Sequence, residues 1–158
     1  MGGRSPAAAR GFAVVFGLAL AVAASIAFAP RSLALDKPGL VRITDHQIKR
    51  TKVDIGAHGV SAGDIDVGRY LLYNKRITQK AIGHSEIVCT NTGNRTSNCS
   101  GTYFLPRGRI VAGGIIASRL IYELAVVGGT GIYDNVRGTL TVTSLGKGEE
   151  LLLFRLVV

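Results

Sequence analysis

Cysteine is scarce in this chain: Cys89 and Cys99 are the only two in 158 residues. Two cysteines with no histidine pattern beside them do not complete a zinc sphere, so no metal site is expected. Ser61 does sit in a G-x-S-x-G run, Gly59 to Gly63, but within the turn stretch HGVSAGD rather than on a strand-to-helix elbow, and His46, His58 and His84 are far apart in the sequence, which argues against a hydrolase triad. The 19 Lys and Arg outnumber the 10 Asp and Glu. They are nevertheless scattered, with short pairs only at Lys49-Arg50 and Lys75-Arg76, and form no basic stripe interleaved with aromatics. Nucleic-acid binding is therefore not expected. Internal repeats and low-complexity tracts are also missing, and beyond residue 34 no apolar stripe at helical spacing lasts more than two turns.

The first 34 residues read as a leader. Arg4 and Arg10 precede the apolar run GFAVVFGLALAVAASIAF, and Ser32 and Ala34 supply small residues before a cut at Leu35. The pattern predicts a cleaved signal peptide over residues 1–34 and a secreted, periplasmic or otherwise extracellular protein. An uncleaved anchor over residues 11–28 is the alternative, although its Ala and Gly content makes it a weakly hydrophobic span. Three Lys and Arg and no acidic residue lie before Leu35, so the mature chain carries a net charge of +6. What remains is one domain, with the first strand in residues 35–62 and the rest in 63–158.

Cysteine usage agrees with export. Cys89 and Cys99 enclose TNTGNRTSN, a polar tip whose flanking strands would bring the sulfurs close across a hairpin. A disulfide in an oxidising compartment is predicted, and closing so short a loop is worth about 2–3 kcal/mol. A free, buried Cys89 with a chemical role is the competing reading.

The dominant pattern is short apolar alternation broken by turn residues. Strands are predicted at Arg42–Ile55, Ile65–Tyr73, Ala81–Asn91, Gly101–Leu105, Arg109–Ala117, Leu120–Val127, Arg137–Leu145 and Glu150–Val157. Connections such as HGVSAGD, PRG and GKG are too short for crossover helices, so neighbours should be antiparallel. Eight such strands suggest an all-β, eight-stranded antiparallel closed barrel, which leaves no free edge and can enclose one small ligand. A two-sheet sandwich shares the local pattern.

The glycine cluster in AVVGGTGIYDNVRGTLTV raises the question of a phosphate loop. A dinucleotide loop needs a helix directly after it to aim N–H groups at the pyrophosphate. Here Gly131 is followed by a turn signal at Asp134-Asn135 and a Thr- and Val-rich strand, and the Gly-Lys-Ser/Thr ending of a P-loop is missing. Gly128, Gly129 and Gly131 are expected instead to allow positive backbone angles and close chain approach in a strand-to-strand connection.

The run YELAVVGGTGIYDNVRGTLTV resembles the signature of plant dirigent proteins, and is similar to the LAITGGSGIF-type run of allene oxide cyclases. The matching positions are Glu123, Gly128, Gly129, Gly131, Asp134, Arg137 and Gly138. Upstream, Gly63-Asp64, LLYNKRI, Gly83 and TYFLPRGRIVAGGI follow the same order more loosely. The resemblance implies an eight-stranded antiparallel barrel and oligomers, typically trimers. It also implies cofactor-free chemistry on a small apolar molecule: ring closure in the cyclases, or stereoselective coupling of radicals supplied by a separate oxidase in the dirigent proteins. The first strand, VRITDHQIKRTKVDI, lacks the cyclases' Glu-x-Asn pattern, and Tyr70 stands where they carry a pocket asparagine.

Candidate pocket groups are Tyr70, Tyr103, Arg109, Tyr122 and Arg155. Alternation places Leu120, Tyr122, Leu124 and Val126 on one face of their strand and Ile121, Glu123, Ala125 and Val127 on the other. Both faces are largely apolar, as they are in the last strand, so a homo-oligomer, trimer or dimer, is expected. Three functions fit: a barrel that guides cyclisation or coupling of a small apolar intermediate, a lipocalin-like carrier of a small hydrophobic ligand, and a structural or surface-interaction barrel. A cavity lined by ionisable groups favours the first, a wholly apolar cavity the second, and a filled barrel the third.

Overall fold

The computed structural model describes residues 39–157 except 75, 76, 78 and 79. The leader, its alternative as an anchor over 11–28 and the cut at Leu35 lie outside the described residues. Eight strands follow one another: β1 (Gly39–Val53), β2 (Ile65–Tyr73), β3 (Gly83–Gly93), β4 (Thr96–Leu105), β5 (Gly108–Ile116), β6 (Ile121–Gly131), β7 (Arg137–Gly146) and β8 (Glu149–Val157). Each pairs antiparallel with the next, and β8 pairs with β1 from Gly39↔Leu156 to His46↔Glu149, which closes the barrel and removes the sandwich alternative. Among the described residues no helix is long and apolar enough to cross a membrane.

Alternation decides what faces inward. Ile43 and Asp45 of β1, Leu72 of β2, Ser85 and Ile87 of β3, and Cys99 and Tyr103 of β4 are buried. So are Ile110, Ala112 and Ile116 of β5, Leu124 and Val126 of β6, Leu140 and Val142 of β7, and Leu152, Phe154 and Leu156 of β8. The Tyr103 ring meets Phe154 edge-on, with centroids 5.1 Å apart, and fills the middle of the barrel. Residues between these positions face outward, so Ile115 (67% exposed) and Ile121 leave apolar groups on the exterior; Leu120, in the bend before β6, is also exposed (75%), although the β6 alternation carried back one residue would turn it inward.

Only β2 has the expected bounds at both ends, and the two boundaries furthest from the sequence expectation, the start of β4 and the end of β6, differ each for a local reason. The tip between β3 and β4 is tighter than its polar composition suggests. Asn94 and Arg95, at φ 49° and 62°, form the two-residue turn, which lets β4 begin at Thr96. The glycines Gly128, Gly129 and Gly131 are not the connection itself. They belong to β6 and pair with β5, from Val111↔Gly128 to Gly108↔Gly131. A Cβ on Gly129 would lie 2.4 Å from the Tyr133 carbonyl oxygen, and Gly131 has φ +69°. This close approach turns the chain so that Tyr133 and Val136 join the hydrophobic core. The glycine-rich run is a plug for one end of the barrel.

Candidate functional site

The opposite end is open. Residues of β1, β2, β3, β5, β6, β7 and β8 line a cavity of about 260 Å³ there. Its lining includes Arg50, Asp66, Tyr70, Cys89, Tyr122 and Glu150. Small inward residues make the space. A Cβ on Gly68 would come within 2.6 Å of the Tyr70 ring, so the missing side chain is what lets that ring lie along its own strand.

Arg50 reaches this end through a β-bulge. Strand β1 alternates inward at Val41, Ile43, Asp45 and Gln47, a phase that would put Lys49 inside and Arg50 outside. The register shift between Gln47 and Lys49 sets Arg50 opposite inward-facing Gly68 instead. Its guanidinium clamps Asp66 with two nitrogens, the Nε donating to Oδ1 at 2.8 Å. Arg119 approaches the same carboxylate at 3.6 Å. Together the two guanidiniums hold the Asp66 carboxyl below the usual range, the Arg50 hydrogen bond being the main cause.

Beneath the cavity lies a group of polar side chains with few partners. Asp45 is fully buried and sits across the β1–β8 ladder from Glu150. Both Asp45 oxygens, Glu150 Oε2, Ser85 Oγ and the Tyr103 hydroxyl have no hydrogen-bond partner among the described residues. Ser85 is register partner to both Tyr70 and Tyr103, so these groups form a continuous cluster. Burial, reinforced by the Glu150 charge, pushes the Asp45 carboxyl up to about 8. Burial also raises Glu150, with Arg119 and Arg50 opposing the shift. Tyr70 is pushed up to about 12 by burial and then by the charges of Glu150 and Asp45. Tyr103 and Tyr122 are raised by the same causes and stay protonated. At neutral pH the cluster thus offers a carboxylic acid, a second carboxyl beside it and three phenol donors.

The sequence-predicted residues divide sharply. Tyr70 and Tyr122 line the cavity, and Tyr103 lies buried below it. Arg109 and Arg155 lie on outward positions of β5 and β8, because alternation gives the inward places to Ile110, Phe154 and Leu156. Arg109 packs its guanidinium over the Phe104 ring at 4.9 Å. The motif residues are also away from the cavity. Glu123 accepts a hydrogen bond from Thr141 on the exterior, Asp134 one from Asn135, and Arg137 donates to the Val136 carbonyl. Gly138 sits at the plugged end opposite Leu156. Cys89 and Cys99 are register partners with a Cα–Cα distance of 4.0 Å and are joined by a disulfide, with Cys89 in the cavity wall. This removes the free-thiol reading. Among the described residues no group of three or more His, Cys, Asp or Glu could hold a metal.

Asp45, Glu150, Arg50, Asp66 and Arg119 were not singled out from sequence. Two of them carried a signal: Asp45 shares the inward phase of Val41 and Ile43, and Glu150 that of Leu152, Phe154 and Leu156.

The closed eight-stranded barrel has the same fold as dirigent proteins and a Diels Alderase of known structure. A pyocyanin demethylase superposes with a TM-score of 0.66 and 26% identity, covering 75% of this chain and 100% of the other. A pterocarpan synthase dirigent protein gives 0.61 and 16%, covering 76% and 83%. The Diels Alderase AbmU from Streptomyces koyangensis gives 0.61 and 14%, covering 75% and 64%. No family model matches the chain. No curated protein matches it.

Proposed function

We propose that this barrel binds a small, largely apolar molecule in its open end and guides its cyclisation or a related bond reorganisation by proton transfer from and to Asp45 and Glu150. The observation that carries this reading is a cavity bordered by ionisable groups, with a buried acid held protonated near neutrality beside a second carboxyl. A passive carrier has no use for such a pair, whose burial unpartnered costs stability. Named activities of similarly folded proteins, a demethylase and a Diels Alderase, also reorganise bonds of small molecules.

In this mechanism the walls exclude water and restrict the conformations of the bound molecule, while Tyr70 and Tyr122 orient it by hydrogen bonds. Asp45 donates a proton to an oxygen or nitrogen that gains electron density as the ring forms. Glu150 takes a proton from the atom that becomes acidic, and the two carboxyls, adjacent across one ladder, exchange the proton afterwards. The scheme draws on no cofactor. The protein is proposed to be exported, which the disulfide supports. It is proposed to form a homo-oligomer, trimer or dimer, which would cover the exposed Ile115, Leu120 and Ile121. If the molecule is a radical, a separate oxidase would supply it.

The test begins with native mass spectrometry of the protein purified from its own host, to identify a retained small molecule. Wild type is then compared with Asp45→Asn and Glu150→Gln in a small-molecule extract of that host. Conversion should fall at least about a hundredfold in both variants while binding persists, in line with the usual weight of general acid–base groups. Undiminished conversion by both variants would eliminate the proposal.

A further inference from the structure

A second chamber adjoins the first. It measures about 380 Å³ and shares Asp66, Cys89 and Arg119 with the inner cavity. Its remaining wall comes from the end of β1, the β1–β2 connection and the start of β2, including Lys52, Val53, Val60 and Ile65, and from Asn91 of β3 and Ser97 of β4. This connection is braced. Asp64 accepts hydrogen bonds from Ile55 N, Ser61 N and Ser61 Oγ at 2.9, 2.7 and 3.1 Å, and Gly63 N donates to the Asn91 carbonyl of β3 at 2.8 Å. The bracing presents Val60 to solvent at 90% exposure, with Val53 half exposed beside the same space. The chamber's carboxylates are already engaged: Asp64 as above, Asp66 by Arg50 and Arg119, and Asp54 by Gly59 N at 3.2 Å.

Size is the deciding quantity. Small-molecule sites usually occupy about 300–1,000 Å³. The inner cavity alone falls just short of that range, and the adjoining chamber brings the whole site well inside it.

We infer that the substrate spans both chambers, with its reacting part over Asp45 and Glu150 and an uncharged apolar arm held outside between Val53, Val60 and Ile65. This rests on the proposed function for the inner half only. Val60 is then a specificity-determining residue, selecting for the arm without touching the reacting atoms. The carboxylates are engaged and the wall cations, Lys52 and Arg119, both face the Asp66 charge, so the outer chamber offers the aliphatic surface of Val53, Val60 and Ile65 to an alkyl or aryl arm.

Two uncharged probes separate the chambers: 1-naphthol, small enough for the inner cavity, and N-phenyl-1-naphthylamine, which adds a second apolar lobe. Val60→Asn should weaken N-phenyl-1-naphthylamine about threefold to tenfold, the effect of losing one aliphatic contact, and leave 1-naphthol unchanged. Ser144→Trp, which fills the inner cavity from β7, should weaken both at least about tenfold. Thermal unfolding checks each variant, and Ile116→Phe replaces Ser144→Trp if the latter fails to fold. Equal effects of Val60→Asn on the two probes, or none on either, would overturn the two-chamber inference. Retention of both probes by the inner-cavity variant would count against the inner site, and so against the proposed function, whatever Val60→Asn does.

Discussion

The two ends of the barrel were built for different purposes, and the contrast shows where information about function resides. The plugged end is apolar: Tyr133 and Val136 fold under the strands, and Leu140, Ile110 and Phe154 fill the space above them. The open end carries Asp45, Glu150, Arg50 and Asp66, with Gly68 and Ser85 making room. The plugged end bears the glycine-rich run that most resembles known families, whereas the open end bears the carboxyls with displaced proton affinities. A recognisable motif can thus report how a barrel is sealed and leave its chemistry unmentioned.

If that contrast is right, damage at the two ends should separate stability from ligand binding. Phe154→Ala should have the largest effect on stability, about 3–5 kcal/mol in chemical denaturation, because it empties a fully buried ring site. Binding of 1-naphthol by the folded variant should change little. Equal loss of both would mean the ends are not separable. Reducing the disulfide, or replacing Cys89 and Cys99 with serine, should cost about 2–3 kcal/mol by freeing a short loop in the unfolded chain. It should also alter the wall of the open end, so probe affinity should shift as well.

Asp45→Asn should act in the opposite direction. An acid whose pKa is raised on folding holds a proton that the unfolded chain releases, so stability falls as pH climbs from the ordinary value of 3.8 to about 8 and levels off above that. Wild type should lose on the order of 1 kcal/mol per pH unit across this window from Asp45. The asparagine variant should lose that contribution and unfold at higher temperature at pH 7. A variant with an unchanged pH profile would show that Asp45 titrates normally. Smallest of all, Arg155→Gln and Glu123→Gln on the outer surface should shift stability by less than about 0.5 kcal/mol. A large change in probe binding from either would place the site elsewhere.

Much of the barrel was legible because alternation is a strong signal in strands that are dry on one side. The phase that turns Tyr122, Leu124 and Val126 inward can be read directly from β6, and short connections dictated the antiparallel neighbours. The site was harder to read for two reasons. Arg50 reaches the mouth only because a bulge reverses the alternation of β1, and nothing in QIKR marks that extra residue. Asp45 and Glu150 did stand in the apolar phase of their strands, but their meaning depends on β1 meeting β8. That contact joins the two ends of the domain and has no local trace. Arg109 and Arg155 are polar groups on apolar strands, and their phase puts them outside.

The proposed chemistry requires the buried carboxyl below the open end to hold its proton at neutral pH. Carbon-13 NMR titration of Asp45 in the labelled protein, assigned by comparison with Asp45→Asn, measures this directly. A midpoint near 8 is predicted. A midpoint near the ordinary 3.8 would contradict the account.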